Sequence, residues 1–170
     1  MHDYDSDSAI SIEKHAQKLV GHTIEQLYSD YRNLDKRNRG RLGLLVERIH
    51  FGFENNNDER PDFPKAGEDG VELKVTPVKR IRKKNDSDKA IKRAGLSVKE
   101  RLVIKKIDYF KVADETWEDN SLMKKIPLLL LIFYLYERDL SADEYRFLLA
   151  NLWKIPDDDI KIIKDDWKKI

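Results

Sequence analysis

Apolar residues in the first third of the chain recur at the spacing of amphipathic helices. Ser8 or Ser11 can cap a first helix over residues 12–20, and Gly21 can end it. Two more helices are predicted on the same grounds, a short one from Thr23 to about Tyr31 and a mostly buried one over residues 42–50.

The middle of the chain alternates apolar and polar residues with the period of β-strands. Residues 72–78 are predicted as a strand that Pro77 ends, and residues 102–107 as a further strand. Residues 79–96 show no clear apolar period and are predicted as a loop. The longest apolar run, residues 126–136, is too short to cross a bilayer as a helix and predicts a central buried strand over 128–136.

Two helices are predicted at the end of the chain. Ser141 can cap one over residues 142–154, and Pro156 can open another that runs to Trp167. Helices, then strands, then helices indicate an α+β (α/β) fold with a mixed β-sheet flanked by helices. The length of 170 residues suits one domain over residues 9–170, with polar residues 1–8 disordered.

The strand at residues 72–78 carries charges where a core strand should not. Glu72 and Lys74 share one side of it, and buried charges must be paired or bind a metal. Asp62 can reach Glu72 across a turn containing Gly67 and Gly70. Two carboxylates with neighbouring backbone carbonyls suit Mg²⁺, and an adjacent lysine can hold an attacking water. The pattern therefore indicates metal-dependent phosphodiester cleavage, or else an exposed strand with a surface ion pair.

Glu47 lies on the buried helix predicted over residues 42–50 and has two interpretations. It is either on an exposed turn of that helix or a third carboxylate of the metal site.

Other chemistries find less support. Cysteine is absent, which is compatible with a reducing interior, and the four histidines lack the spacing of metal ligands, so we expect them at the surface or in packing.

Positive charge is concentrated in one segment. Residues 74–106 contain thirteen Lys and Arg against three acids, a charge of +10, whereas the rest of the chain carries −9. Such a run is either a solvated loop or a surface for a polyanion, and its start at Lys74 favours nucleic acid. The candidate phosphate contacts are Lys79, Arg80, Arg82, Lys83, Lys84, Lys92 and Arg93.

Four blocks of the chain carry a family resemblance. They are Gly40-Arg41-Leu42-Gly43-Leu44-Leu45-Val46-Glu47 with Phe51-Gly52, Pro61-Asp62-Phe63, Gly70-Val71-Glu72-Leu73-Lys74-Val75-Thr76-Pro77, and Asp165-Asp166-Trp167. These blocks resemble the MutH family, which comprises the methyl-directed mismatch-repair nicking endonuclease and its type II restriction relatives, all acting at GATC in DNA. Residues 96–117 look closer to the restriction enzymes.

The resemblance implies a type II restriction endonuclease-like fold and Mg²⁺-dependent hydrolysis of double-stranded DNA in the bacterial cytoplasm. It implies that Asp62, Glu72 and the carbonyl of Leu73 hold the metal. Glu47 would complete the carboxylate set, and Lys74 would orient or activate the water. Lys99 and Arg101 would lie near the scissile phosphate.

Two features depart from the family. Asp62 and Glu72 are ten positions apart where the family usually has seven, so we expect a small insertion in the turn. The family also continues beyond the position of Ile170 into a segment that reads the GATC bases, which predicts part of a longer enzyme or a shortened protein. Dimerisation or a second domain would serve double-strand cutting. A nicking repair enzyme and a non-catalytic DNA-binding module remain the alternatives.

Overall fold

A computed structural model describes residues 3–28, 41–53, 60–81, 95–104, 109–112, 114–124 and 128–169. The helical elements within these ranges are α1 (Ala9–Gln17), α2 (Ile24–Leu27), α3 (Arg41–Leu45), a π-helix (Val46–Phe51), α4 (Tyr109–Val112) and α5 (Asp157–Trp167). Two single 3₁₀ turns are also present, Trp117–Asp119 and Ala142–Glu144. None of the helices described has the length and apolar character that crossing a membrane requires.

Four strands form one mixed sheet. They are β1 (Glu72–Arg80), β2 (Leu96–Val98), β3 (Leu129–Leu135) and β4 (Phe147–Trp153), in the spatial order β2-β1-β3-β4. The two central strands run parallel, and each outer strand is antiparallel to its neighbour. A mixed sheet flanked by helices confirms the predicted α+β class.

The predicted central strand is confirmed as β3, but β1 runs through Pro77 rather than ending there. Pro77 pairs in register with Tyr134, and its carbonyl accepts a hydrogen bond from the Lys99 backbone at 3.2 Å. A proline removes one N–H donor from a strand but leaves its carbonyl free to pair. The strand therefore continues at the loss of one donor.

The helix predicted over residues 142–154 is wrong. Ser141 and Glu144 form the expected capping box, but they cap one 3₁₀ turn, and the chain then enters β4. The apolar residues that suggested a helical stripe instead pair antiparallel with β3, from Leu129–Trp153 to Tyr134–Phe147. Pairing along the whole of β3 outweighs local propensity, which is only a weak guide.

The strand predicted over residues 102–107 is also wrong where it can be compared, because residues 101–104 have no regular structure and 105–108 lie outside the described residues. The edge strand is instead β2, which pairs with the end of β1. Its three residues fall partly in the segment predicted as a loop. Three residues are too few to show a periodicity, so this strand is defined by pairing alone.

The N-terminal segment packs more tightly than expected. Ser8 caps α1 by accepting the Ser11 N–H at 3.4 Å, so the helix starts earlier than residue 12. The predicted disorder of residues 1–8 does not hold for Tyr4, which packs against the core and donates its hydroxyl to the Phe51 carbonyl at 2.8 Å. The core thus joins the N-terminal segment, the π-helix and the sheet.

Candidate active site

The first residues of β1 place a buried ion pair at one end of the sheet. Glu72 is only 2% exposed, and its Oε1 lies 2.6 Å from the Lys74 ammonium, whose side chain is 21% exposed. The alternation of a strand puts both side chains on one face. A buried carboxylate is strongly unfavourable without such a partner, so the pair explains how this apolar strand tolerates two charges.

Asp62 reaches the same strand through a short antiparallel bridge. Phe63 and Val71 exchange two backbone hydrogen bonds, at 2.9 and 3.0 Å. This bridge sets Asp62 beside β1, where its Oδ2 accepts the Leu73 N–H at 2.8 Å. Residues 64–70 form the loop above the bridge. The loop therefore accommodates the ten-position separation of Asp62 and Glu72. The Asp62 carboxylate lies next to Leu73, the residue that follows Glu72.

Gly70 allows this loop to close. Its φ is +81°, a conformation that side chains with a Cβ rarely adopt. A Cβ at this position would lie 3.0 Å from both the Phe63 carbonyl oxygen and Pro61 Cγ. Gly67 shares the positive φ, at +71°, but an added Cβ there meets no atom within 4 Å. The bridge between Phe63 and Val71 thus requires glycine at position 70.

Glu47 approaches the ion pair from the π-helix, a form of helix that is frequent at functional sites. Burial, followed by the charge of Asp62, raises the pKa of Glu47 from 4.5 to about 7. Lys74 opposes this rise, and Glu72 adds to it. The Oε2 atom of Glu47 is buried and meets no hydrogen-bond partner among the described residues. Glu47 therefore lies within electrostatic reach of the other three groups.

The raised pKa predicts how stability changes with pH in the metal-free protein. Between pH 4.5 and 7 the unfolded chain loses the Glu47 proton while the folded chain keeps it, so the free energy of unfolding falls as pH rises through this window. The full shift would be worth about 3 kcal/mol, which partial solvation reduces to ~1–2 kcal/mol. Glu47→Gln should therefore unfold later than the parent at pH 8, measured by urea denaturation.

At pH 4 the two proteins should have nearly the same stability, because Glu47 is then protonated in both states. Parallel stability curves for parent and Glu47→Gln from pH 4 to 8 would contradict this placement of Glu47.

The oxygen atoms of this site determine which metal ion it could hold. Across the described ranges, no three His, Cys, Asp or Glu side chains form a group that could hold one. Mg²⁺ needs fewer, since it commonly binds one or two carboxylates and keeps several waters. Asp62 and Glu72 supply two carboxylates at one end of β1, and the buried, unbonded Oε2 of Glu47 adds a nearby oxygen. The oxygen chemistry of the site therefore fits Mg²⁺ with water-completed coordination.

The candidate DNA-contacting residues are more scattered. Arg80 is at the far end of β1, where it is exposed and lies 3.8 Å from Glu137, and Lys79 is exposed beside it. The Lys99 ammonium lies 4.0 Å above the Tyr136 ring. Strand alternation puts Tyr136 on the opposite face from Lys74, so the structure does not bring Lys99 to the ion pair. Arg101 is exposed in an irregular stretch. Arg82, Lys83, Lys84, Lys92 and Arg93 lie outside the described residues.

Sequence reasoning missed one pair of residues next to this site. His15 and His50 are buried and stacked, with ring centroids 4.2 Å apart, although they are 35 positions apart in the chain. Packing was expected of the histidines, but no spacing rule links two residues so distant. Their position on α1 and on the π-helix of Glu47 emerges only from the fold.

Comparison with known proteins identifies the family. The family model described as "DNA mismatch repair enzyme MutH" matches residues 51–166, more than half of the chain. The chain belongs to the MutH family. The matched region contains Asp62, Glu72 and Lys74 and starts after Glu47.

Two curated proteins are similar to this chain over nearly its whole length. The type II restriction enzyme Sau3AI of Staphylococcus aureus is 32% identical over 162 residues, which cover 94% of this chain and 30% of that enzyme. The DNA mismatch repair protein MutH of Shewanella woodyi is 26% identical over 160 residues, covering 91% of this chain and 61% of that protein. The chain thus spans less than two thirds of either relative.

Proposed function

We propose that this chain is the catalytic domain of a Mg²⁺-dependent DNA endonuclease that hydrolyses phosphodiester bonds at GATC-type sites, in the manner of a restriction enzyme. The observation that carries the proposal is the convergence of Glu47, Asp62, Glu72 and Lys74 at one end of β1. Family membership supports it, because the two relatives are named as a restriction enzyme and a mismatch repair protein.

Asp62, Glu72 and the backbone carbonyl of Leu73 would hold the Mg²⁺ ion. When bound there, Mg²⁺ supplies Lewis-acid polarisation of the scissile phosphate and eases ionisation of the attacking water. The Leu73 N–H bond holds the Asp62 carboxylate beside β1. The hydrogen bond from Lys74 holds the Glu72 carboxylate at the same end of the strand.

Lys74 would act on the water and on the phosphate. Its ammonium is held at 2.6 Å from Glu72 and is partly exposed, so it can donate to an attacking water on the open side of the pair. Its positive charge also offsets the charge that builds up on the phosphate. Glu47, with its pKa of about 7, can accept a proton near neutral pH.

The proposal is tested by incubating the protein with supercoiled plasmid carrying GATC sites. We expect cleavage with Mg²⁺, none with EDTA, and none on a matched plasmid in which every GATC is changed. Linear product would support the restriction-type assignment, whereas open circles alone would favour the mismatch-repair type of nicking.

Binding without cutting, with Mg²⁺ present, would instead favour a non-catalytic DNA-binding module. Equal cutting of the GATC-free plasmid would contradict the site preference but not the nuclease chemistry. The 32% identity to Sau3AI, against 26% to the repair protein, is the reason for placing the restriction-type assignment first.

A further inference from the structure

The π-helix that carries Glu47 ends abruptly. The Glu47 carbonyl accepts two backbone N–H groups, from Gly52 and from Phe53 at 3.1 Å. Gly52 has a φ of +75° and turns the chain away from the helix axis. Helix ends leave their last carbonyl groups without partners from the helix itself. The carbonyls of His50 and Phe51 must therefore be satisfied from elsewhere in the fold.

Both of these carbonyls accept hydrogen bonds from the N-terminal segment. The His15 side chain donates from Nε2 to the His50 carbonyl at 2.9 Å, and Tyr4 donates its hydroxyl to the Phe51 carbonyl at 2.8 Å. The donors lie 35 and 47 positions earlier in the chain. The N-terminal segment thus completes the hydrogen bonding of the last turn of the π-helix.

The rings of these residues form a continuous stack. Tyr4 lies 4.4 Å from His15, and His15 lies 4.2 Å from His50, with interplanar angles of 25° and 27°. The His50 side chain returns the bond by donating from Nε2 to the His15 carbonyl at 3.0 Å. The Tyr28 hydroxyl lies 2.6 Å from His50 Nδ1 and holds the other side of the same ring. The stack (Tyr4, His15 and His50) is therefore held by hydrogen bonds as well as by ring packing.

Glu47 needs such support because its own surroundings oppose its position. Its carboxyl lies within the fields of Asp62 and Glu72, and one of its oxygens is buried with no hydrogen bond among the described residues. A group in an unfavourable setting stays there only when the surrounding structure holds it. His50 lies three residues after Glu47 on the same π-helix, so fixing His50 also fixes the turn that presents Glu47.

We propose that Tyr4 and His15 are positioning residues for the active site, which hold the last turn of the π-helix so that Glu47 points at the ion pair of Glu72 and Lys74. This inference rests on the proposed nuclease function for its activity arm only. Tyr4 and His15 make these contacts with the π-helix, and the Tyr4 ring also meets Phe63, next to Asp62, with ring centroids 6.4 Å apart.

The test compares variants that remove or keep the donor. His15→Leu loses the bond to the His50 carbonyl, whereas His15→Gln keeps an N–H at a similar reach. Tyr4→Phe removes only the hydroxyl. His22→Gln, at an exposed position outside the stack, is the matched control. Each folded variant is measured for Mn²⁺ affinity without DNA, and for kcat and KM on a GATC duplex.

We expect His15→Leu to lower Mn²⁺ affinity and kcat by about 10-fold to 100-fold, with KM nearly unchanged, because Glu47 would be displaced from its place beside the two carboxylates that would hold the metal. His15→Gln should recover most of the loss, and Tyr4→Phe should show a smaller loss of the same kind, which serves if His15→Leu does not fold. His22→Gln should match the parent.

A purely structural role would lower the melting temperature of His15→Leu and Tyr4→Phe while leaving Mn²⁺ affinity and kcat at parental values below the transition. That result would overturn the inference. If the parent does not cut DNA but Mn²⁺ affinity still follows the variants as expected, positioning stands and the proposed nuclease function fails.

Discussion

Replacing Glu72 by glutamine should reduce DNA cleavage at GATC by roughly 10³-fold or more, because it removes a charged group on which the metal and Lys74 both depend. The amide keeps the size of the side chain, so the strand should still form.

Lys74→Ala should abolish cleavage as well and should also destabilise the fold by ~3 kcal/mol, since it leaves a buried carboxylate without its partner. Cleavage of plasmid and thermal unfolding measure the two effects.

Glu68→Gln is the matched control, because Glu68 is exposed in the loop between Asp62 and Glu72. It should cut like the parent. Both active-site variants should bind DNA within about tenfold of the parent, since phosphate contacts rather than the catalytic pair provide most of the affinity. Parental cutting by Glu72→Gln or Lys74→Ala would show that the assigned site is wrong.

Gly70→Ala should have the second-largest effect, and it should act through geometry rather than charge. The added Cβ would meet the Phe63 carbonyl and Pro61 at 3.0 Å, in a backbone conformation already unfavourable for alanine. We expect a loss of ~2–3 kcal/mol in the free energy of unfolding, and cleavage lowered by at least about tenfold because Asp62 leaves its place beside Leu73.

Gly67→Ala separates the two causes. This alanine is destabilised by the positive φ alone, because its Cβ would enter open space. It should cost only ~1 kcal/mol and leave cleavage within about twofold of the parent. Equal losses in both variants would mean that the bridge between Phe63 and Val71 does not place Asp62.

Three of the residues that converge at the candidate site could be grouped from sequence because they lie close together along the chain. Glu72 and Lys74 are two positions apart on one strand, and a period of two places them side by side without further information. To place Asp62 beside them, the prediction needed only a loop with Gly67 and Gly70 that turns the chain back. The bridge between Phe63 and Val71 closes this loop. The family resemblance then named the chemistry, and family membership is confirmed.

The errors fall where long-range pairing decides the structure. Phe147–Trp153 has the spacing of an amphipathic helix, yet it is a strand because β3 offers a complete partner. Leu96–Val98 is a strand only because the end of β1 lies beside it. The stack of Tyr4, His15 and His50 depends on a contact across 35 positions, for which no local pattern exists. Local patterns thus predict which residues lie together at the end of β1 better than they predict the elements around them.

In the proposed mechanism, Asp62 and Glu72 hold one divalent ion beside Lys74. Its most direct test is an anomalous-difference map from crystals soaked in Mn²⁺, which reports the ion independently of turnover. We predict a peak between the carboxylates of Asp62 and Glu72, within about 2–2.5 Å of an oxygen from each, and its loss in Glu72→Gln crystals. A peak bound by other residues, with none between these two carboxylates, would contradict the account.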